Sequence, residues 1–330
     1  MEPLVAVTGA EGFIGSHLVE ALVQGGARVR AMVQYNSFNS WGWLETLPPD
    51  VLAGVEVQLG DVRDPGSVNA LMRGAQTVYH LAALIAIPYS YQAPRSYIDT
   101  NVTGTLNVLE AAREYGTPRV VHTSTSEVYG TAQTVPICES HPLHPQSPYA
   151  ASKAAADHLV GSYVLSYDLP VVTLRPFNTY GPRQSARAVI SNIIAQLAAD
   201  GGRVRLGDLT PTRDFTFVQD TAAAFVAVGQ AGPQVLGRTL NAGSGREISV
   251  SDLAGLIAEV MDRPVQVQQE EERLRPPGSE VRRLVCDSRE LRRLTGWQPH
   301  LSLRDGLSRT VEWFGQPRNL ERYKTGLYNV

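Results

Sequence analysis

Three glycines constrain this chain more than any other feature. Gly9, Gly12 and Gly15 stand three apart, directly after the apolar run Leu4-Val5-Ala6-Val7-Thr8. Directly after them comes a segment with an apolar stripe at Leu18, Val19, Leu22 and Val23. The run reads as a strand buried on both faces and the stripe as a core-facing helix. Between them glycine permits a tight turn and close backbone approach, and the helix N-terminus faces an anion. The spacing is G-x-x-G-x-x-G rather than the widespread G-x-G-x-x-G. The physics is shared, and strand–turn–helix is the context a dinucleotide pyrophosphate requires. Gly9, Gly12, Phe13, Ile14 and Gly15 are the first candidate cofactor contacts.

The next segments continue a strand–helix alternation. Residues 28–33 form a second strand. In an NAD site an acid ends this strand and holds the ribose hydroxyls. Val33 stands there instead, followed by Gln34, Tyr35, Asn36 and Ser37. A missing carboxylate, with amide and hydroxyl donors in Gln34, Asn36 and Ser37, suits a 2′-phosphate at least as well as a hydroxyl. NADP is therefore slightly favoured over NAD. Trp41 and Trp43 read as packing. A third strand at 55–60 precedes Asp61 and Val62, where Asp61 either bonds an adenine amine or caps the following turn. A fourth strand at 77–82 brings Leu81, Ala82 and Ala83 close to a cofactor. The loop 84–94 is a candidate wall for a sugar. A helix at 101–115 has apolar positions Val102, Leu106, Leu109 and Ala112. A fifth strand at 119–122 delivers residues 123–127 to its C-terminal end, where open α/β sheets bind ligands.

Tyr149 and Lys153 are four apart, so they share a helix face. An ammonium beside a phenol favours the phenolate, giving a base for an alcohol proton near neutral pH. The hydroxyl of Thr125 can hold the same alcohol from the other side. A further strand at 169–174 ends the first lobe, residues 1–175, an expected doubly wound Rossmann sheet of the α/β class with helices on both faces. A smaller α/β lobe, residues 176–330, follows with some chain crossing between the two. Helices are expected near 189–199, 249–260 and 303–314. Arg187, Arg213 and Arg275 are candidates to meet a second diphosphate, and the acidic run 268–272 reads as a linker-like solvated face.

Composition removes several classes. The net charge of −3 over 330 residues gives no footprint for nucleic acid or a membrane surface. No apolar run approaches the ~20 residues of a membrane span. The chain enters a strand at once, without a charged leader, which predicts a cytoplasmic protein. Cys138 and Cys286 are too few for a disulfide framework or metal cluster and read as inert thiols, so no metal is expected.

The glycine triplet, Thr125, Tyr149 and Lys153, in this order on expected parallel strands, resemble the extended short-chain dehydrogenase/reductase family of sugar-nucleotide epimerases and dehydratases. The resemblance covers nearly the whole chain. It implies a tightly held NAD or NADP, a nucleoside-diphosphate sugar in the second lobe, and a homodimer through the helices near 101–115 and 149–167. It also implies that Lys153 binds the nicotinamide ribose and that Asn178, Arg213 and Arg275 contact the sugar nucleotide, with Arg187 and Val189 beside them. Thr125-Ser126-Glu127 resembles the 4,6-dehydratases, in their GDP-mannose form, since epimerases lack an acid at the Glu127 position. The stretches 35–43, 84–90 and 183–189 resemble the legionaminic-acid-pathway type of nucleotide-activated N-acetylglucosamine 4,6-dehydratase, acting on a UDP- or GDP-sugar. The reaction so implied is oxidation at C4 with Tyr149 as base, loss of water across C5 and C6 with Glu127, and return of the hydride to C6. Ser126 belongs to the same constellation but is a poor acid. The rival activities are UDP-glucuronate decarboxylase, which shares the Thr-Ser-Glu-Val-Tyr-Gly stretch, and sugar-nucleotide 4-epimerase. A non-catalytic NADP-sensing binding protein is the rival from another class.

Overall fold

The first strand shows how the fold is assembled. Val5 and Val7 point into one core with Leu18, Val19, Leu22, Phe225 and Val228, while Ala6 between them points into another with Val68, Leu71, Val108 and Leu109. A strand buried on alternate faces against two helical layers is what an unbroken apolar run specifies. The structure is a computed structural model that describes residues 3–199 and 202–324.

The strands are β1 (Leu4–Thr8), β2 (Arg28–Gln34), β3 (Val55–Gly60), β4 (Thr77–His80), β5 (Val120–Thr123), β6 (Val171–Pro176), β7 (Asn178–Tyr180), β8 (Arg203–Leu206), β9 (Thr212–Phe217), β10 (Thr239–Ala242), β11 (Glu247–Ser249) and β12 (Gln266–Gln269). Seven make one sheet in the order β10-β6-β5-β4-β1-β2-β3, with every neighbouring pair parallel. The order reverses between β1 and β4, and a crevice opens there at the strands' C-terminal ends. This is the doubly wound Rossmann architecture the sequence predicts.

Helices α1 (Phe13–Gln24), α2 (Gly104–Tyr115), α3 (Pro148–Tyr167) and α4 (Val218–Gln230) flank this sheet. The third starts sharply because Ser147 accepts the Ala150 N–H at 3.1 Å and Pro148 follows it. The second begins later than expected, after a π-helical turn over Ile98–Thr103. Within that turn Asn101 exchanges two hydrogen bonds with the Leu84 backbone, at 2.8 and 3.0 Å.

The chain crosses between lobes. β10 pairs with β6, and α4 packs into the α1 core, although both follow second-lobe segments. The second lobe gathers a three-stranded sheet β11-β9-β7, the pair β12-β8, and helices α5 (Val250–Val260) and α6 (Leu303–Phe314) around Ile190, Ile194, Phe215, Phe217, Leu253 and Phe314. The acidic run expected as a linker is partly β12, paired in parallel with β8, and it leads into cavity-lining Glu272 and Arg273. Its polar sequence hides a strand because the strand is an exposed edge with only Val267 turned inward.

A Cβ on Gly15 would meet the Gly9 carbonyl oxygen at 2.0 Å, a backbone atom that cannot swing away, whereas one on Gly255 within α5 would meet nothing within 4 Å. Gly15→Ala is expected to lose about 1–3 kcal/mol through overpacking. Gly255→Ala is expected to gain about 0.5–1 kcal/mol from helix propensity. Urea unfolding of both variants checks the pair of signs.

Candidate active site

The crevice between β1 and β4 is lined from the glycine turn. Gly9 has φ +67°, and a Cβ there would sit 2.8 Å from the Ala82 nitrogen, so the turn lies directly against the end of β4. Thr8 fastens the same junction: its hydroxyl oxygen accepts the Leu81 and Ala82 N–H groups, each at 3.1 Å, and lies 2.8 Å from His80 Nδ1. Gly12 caps α1 without a side chain, leaving the helix's first amides open to an anion. This cradle, which any side chain at Gly9 would fill, fits a dinucleotide. Phe13, Ile14, Leu81, Ala82 and Ala83 adjoin it, while Val62 is buried in the core on the α2 side, its carbonyl accepting from Asn107 Nδ2 at 2.9 Å.

Some expected contacts are engaged elsewhere. Asp61 accepts the Arg63 N–H at 2.9 Å and pairs with its guanidinium at 2.5 Å, which is one of its two expected roles, the turn cap. The Arg63 hydrogen bonds hold this carboxyl below the ordinary carboxylate range. Asn36 donates to the Gln34 and Ser40 carbonyls and accepts from the Phe38 and Ser40 amides, which makes it the organiser of its own loop. Ser37 and Gln34 are exposed. Trp43 packs on Trp313 and Tyr323, as expected of a packing residue.

A carboxylate unforeseen in the sequence reaches this end of β2. Glu11, inside the glycine turn, accepts the Gln34 N–H through Oε1 at 2.9 Å. Burial raises its pKa, and the Gln34 amide opposes that. No sequence signal marked it, because its side chain acts on a strand it does not adjoin.

Across the crevice, Thr125 opens a short turn (Ser126–Tyr129), its hydroxyl accepting the Glu127 N–H at 3.2 Å. Tyr149 and Lys153 come up from α3, with the Thr125 hydroxyl close enough to the Tyr149 phenol to favour its ionised form. Thr125, Glu127, Tyr149 and Lys153 are all buried. Ser126 is buried as well and does not line the adjoining cavity.

One expectation is corrected here. Without cofactor the Tyr149 pKa is raised rather than lowered: burial raises it most, the Thr125 hydroxyl opposes that, and the nearby Glu127 charge adds to it. Burial also lowers Lys153 to about 8, with Asp157 opposing. Desolvation disfavours both charged forms.

Asp157 lies one turn beyond Lys153 on α3. It accepts from Ser124 Oγ at 2.7 Å and Arg175 Nη2 at 2.8 Å, and sits 3.2 Å from His122 Nε2. Arg175 Nη1 continues to the Tyr129 hydroxyl at 2.9 Å, which donates to Asn241 Oδ1 at 2.8 Å. The i+4 spacing from Lys153 was the available signal for Asp157.

Beyond Glu127 a cavity of about 490 Å³ extends into the second lobe, bounded by Asn178, Arg187, Val189, Arg213 and Arg275. All five expected substrate contacts therefore meet in one space. Arg213 bonds Glu280 at 3.1 Å and Arg275 approaches the same oxygen at 3.7 Å, so one carboxylate serves two guanidinium groups. Asn178 Oδ1 and Arg275 Nη1 are buried without a hydrogen-bond partner. The cavity thus carries surplus positive charge and unmet polar atoms, the chemistry of a diphosphate site. The helix Ile87–Gln92 supplies Pro88, Tyr91 and Gln92 to its wall, where the sequence predicted a loop. Tyr91 bonds Ser279 at 2.6 Å, and Ser279 donates to the Gln146 carbonyl at 2.5 Å. No group of three or more metal-ligating side chains occurs among the described residues, and no described helix is long and apolar enough to cross a membrane.

Comparison with known proteins gives a consistent picture. The family model described as GDP-mannose 4,6 dehydratase matches residues 6–310. The chain is 36% identical over 322 residues to a dTDP-glucose 4,6-dehydratase of Streptomyces griseus, covering 95% of this chain and 94% of that one. It is 35% identical over 313 residues to a UDP-glucose 4-epimerase of Mycolicibacterium smegmatis, covering 93% and 97%. The solved dTDP-glucose 4,6-dehydratase of Streptomyces venezuelae, with NAD bound, superposes with a TM-score of 0.86 at 31% identity, covering 97% of this chain and 99% of that one.

Asp157, held at about 2, is ionised in the folded state well below the ordinary carboxylate value, so its contribution to stability is present above pH ~4 and is lost as pH falls from ~4 toward 2. Asp157→Asn leaves Arg175 and Lys153 without their counter-charge and is expected to cost about 3–5 kcal/mol. The chain has only two lysines, Lys153 and Lys324. Carbon-13 NMR of ε-labelled lysine therefore resolves Lys153 directly: its midpoint is expected near 8 in the cofactor-free wild type and lower in the variant.

Proposed function

This chain belongs to the GDP-mannose 4,6-dehydratase family, and we propose that within it the protein is a nucleoside-diphosphate-sugar 4,6-dehydratase. The observation that carries this reading is the position of Glu127. It lines the anion-binding cavity, and its charge acts on both the Tyr149 phenol and the Arg213 guanidinium. An acid between the oxidising base and a diphosphate cation is superfluous for 4-epimerisation and necessary for removing water across C5 and C6.

Arg213, Arg275 and Arg187 hold the diphosphate, and Asn178 presents its unpartnered oxygen to a substrate donor. An oxidised nicotinamide held by the glycine cradle and Lys153 would supply the hydride acceptor. Tyr149 then takes the C4 hydroxyl proton while Thr125 holds the oxygen, and Lys153 stabilises the phenolate. The C4 ketone acidifies C5, and Glu127 removes the C5 proton. The same carboxyl returns that proton to the departing C6 hydroxyl, so one carbon–oxygen bond breaks and water leaves. The hydride taken from C4 is added at C6 while C5 takes up a proton from solvent through Glu127, and the proton held by Tyr149 returns to solvent, so there is no net oxidation.

The finer assignment is a UDP- or GDP-N-acetylglucosamine substrate, in the legionaminic-acid-pathway type. It is supported by the stretches 35–43, 84–90 and 183–189, of which the second contributes Pro88 to the cavity wall and the third Arg187 and Val189. A homodimer through α2 and α3 is supported by Leu165 and Tyr167, apolar side chains exposed on the outer face of α3. A cytoplasmic site of action is part of the same reading and rests on the sequence alone. The epimerase reading keeps specific support in several epimerases among the chain's relatives and structural neighbours, the 35% identical UDP-glucose 4-epimerase included.

Incubating the protein with a panel of UDP-, GDP- and dTDP-sugars, UDP-glucuronate included, and identifying products by NMR separates the readings. A 4-keto-6-deoxy sugar is expected; a C4 epimer or a pentose with carbon dioxide would replace it. Tyr149→Phe is expected to lose ~10²–10⁴ in rate with nucleotide-sugar binding retained. Glu127→Gln is expected to accumulate reduced nicotinamide at 340 nm and to stop solvent deuterium entering C5. If the folded variant eliminates water at the wild-type rate, the dehydratase role of Glu127 is wrong.

A further inference from the structure

We infer that Glu11 replaces the acid missing from the end of β2, accepting the adenosine ribose hydroxyls of the dinucleotide and selecting NAD over NADP. The inference rests on the glycine turn being a dinucleotide site, and it reverses the preference expected from Val33 alone.

The carboxylate is built into place. Its Oε1 accepts the N–H of Gln34, the last residue of β2, at 2.9 Å. Its backbone carbonyl accepts the Trp43 N–H at 3.0 Å. Gly42 crosses so close, at φ +58°, that a Cβ there would lie 2.8 Å from the same carbonyl. Turn, strand end and following loop are thereby locked around one side chain. Its Oε2 is buried and has no hydrogen-bond partner. A buried acceptor left without a donor is costly, and native proteins seldom leave one unmatched. A ribose diol brings two hydroxyl donors to this strand end, where an acid carried by the strand itself would ordinarily meet them.

A 2′-phosphate meets the opposite conditions. It carries ~−1.5 to −2 charges at pH 7. An NADP site answers that charge with a nearby arginine. From residue 31 to residue 54 this chain has no lysine, arginine or histidine. Asn36 donates both amide hydrogens to the Gln34 and Ser40 carbonyls, so it offers none to a phosphate. Arg63, just past β3, is gripped by Asp61 through three side-chain hydrogen bonds. A phosphate here would face the Glu11 carboxylate in a partly dry site with no cation to offset it.

The test is equilibrium binding to protein stripped of nucleotide, by calorimetry, for wild type, Glu11→Gln and Glu11→Ala, with thermal unfolding to verify folding. Glu11→Gln keeps an oxygen for the Gln34 N–H and so preserves the loop. Wild type is expected to bind NAD at least ~10-fold more tightly than NADP. Loss of a charged hydrogen bond corresponds to about 10- to 100-fold weaker NAD binding in Glu11→Ala. In Glu11→Gln the NAD:NADP preference is expected to fall below ~3-fold, since the repulsion is removed. Wild-type protein that binds NADP as tightly as NAD, or a preference unchanged in both variants, overturns the inference while leaving the dinucleotide site intact. Binding of neither nucleotide to wild type overturns the dinucleotide reading and this inference with it.

Discussion

A single buried carboxylate ties the reacting end of this molecule together. Asp157 receives Ser124 and His122 from the end of β5 and Arg175 from β6, while its own backbone belongs to the helix that carries Tyr149 and Lys153. Through Arg175 the bonding continues to Tyr129, at the base of the turn holding Thr125 and Glu127, and on to Asn241 in β10. Buried polar groups of this kind reinforce one another and tolerate no partial loss, because each unmatched member is expensive in a low dielectric. The helix, the turn and three strands therefore adopt their relative positions as one unit. The placement of the phenol near the Thr125 hydroxyl follows from a charge that itself touches neither.

The basic residues show a division of labour. Of 29 lysines and arginines only two are lysines, and one of those is Lys153. Arginine serves wherever a permanent charge is wanted: against Asp157, against Glu280, along the cavity. At Lys153 burial brings the ammonium to about 8, a value an arginine would not approach. At the reacting end of α3 the basic side chain is thus one whose proton can come and go near neutral pH.

Much of this was readable in the sequence, for reasons that differ by element. The strand–glycine–helix start was legible because period, turn chemistry and helix stripe agree locally; the reason for Gly15 lies within the same turn, against the Gly9 carbonyl, whereas Gly9 is fixed by its approach to the end of β4. Arg187, Arg213 and Arg275 could be named as candidates from the sequence, but three arginines far apart in the chain have no local signature that gathers them, and only resemblance singled out Arg213 and Arg275. Glu11 was invisible: a carboxylate in a glycine turn looks like any solvated acid until β2 is laid beside it. The pKa of Tyr149 was misjudged because spacing reveals a neighbour's charge but not the desolvation that opposes it. β12 was missed because an edge strand with one inward residue carries no alternating pattern.

The return of the chain to its first sheet bears on how this architecture can be recombined. β10 covers what would otherwise be the open flank of β6, and α4 supplies Phe225 and Val228 to the layer over α1. A fragment ending near residue 176 would leave β6 as an unprotected, strongly apolar margin able to recruit strands from other chains. Grafting a foreign specificity lobe onto this one is then not a matter of joining two pieces at a linker. The graft must carry residues equivalent to 218–230 and 239–242 home to the host sheet, so recognition and scaffold can diversify only together.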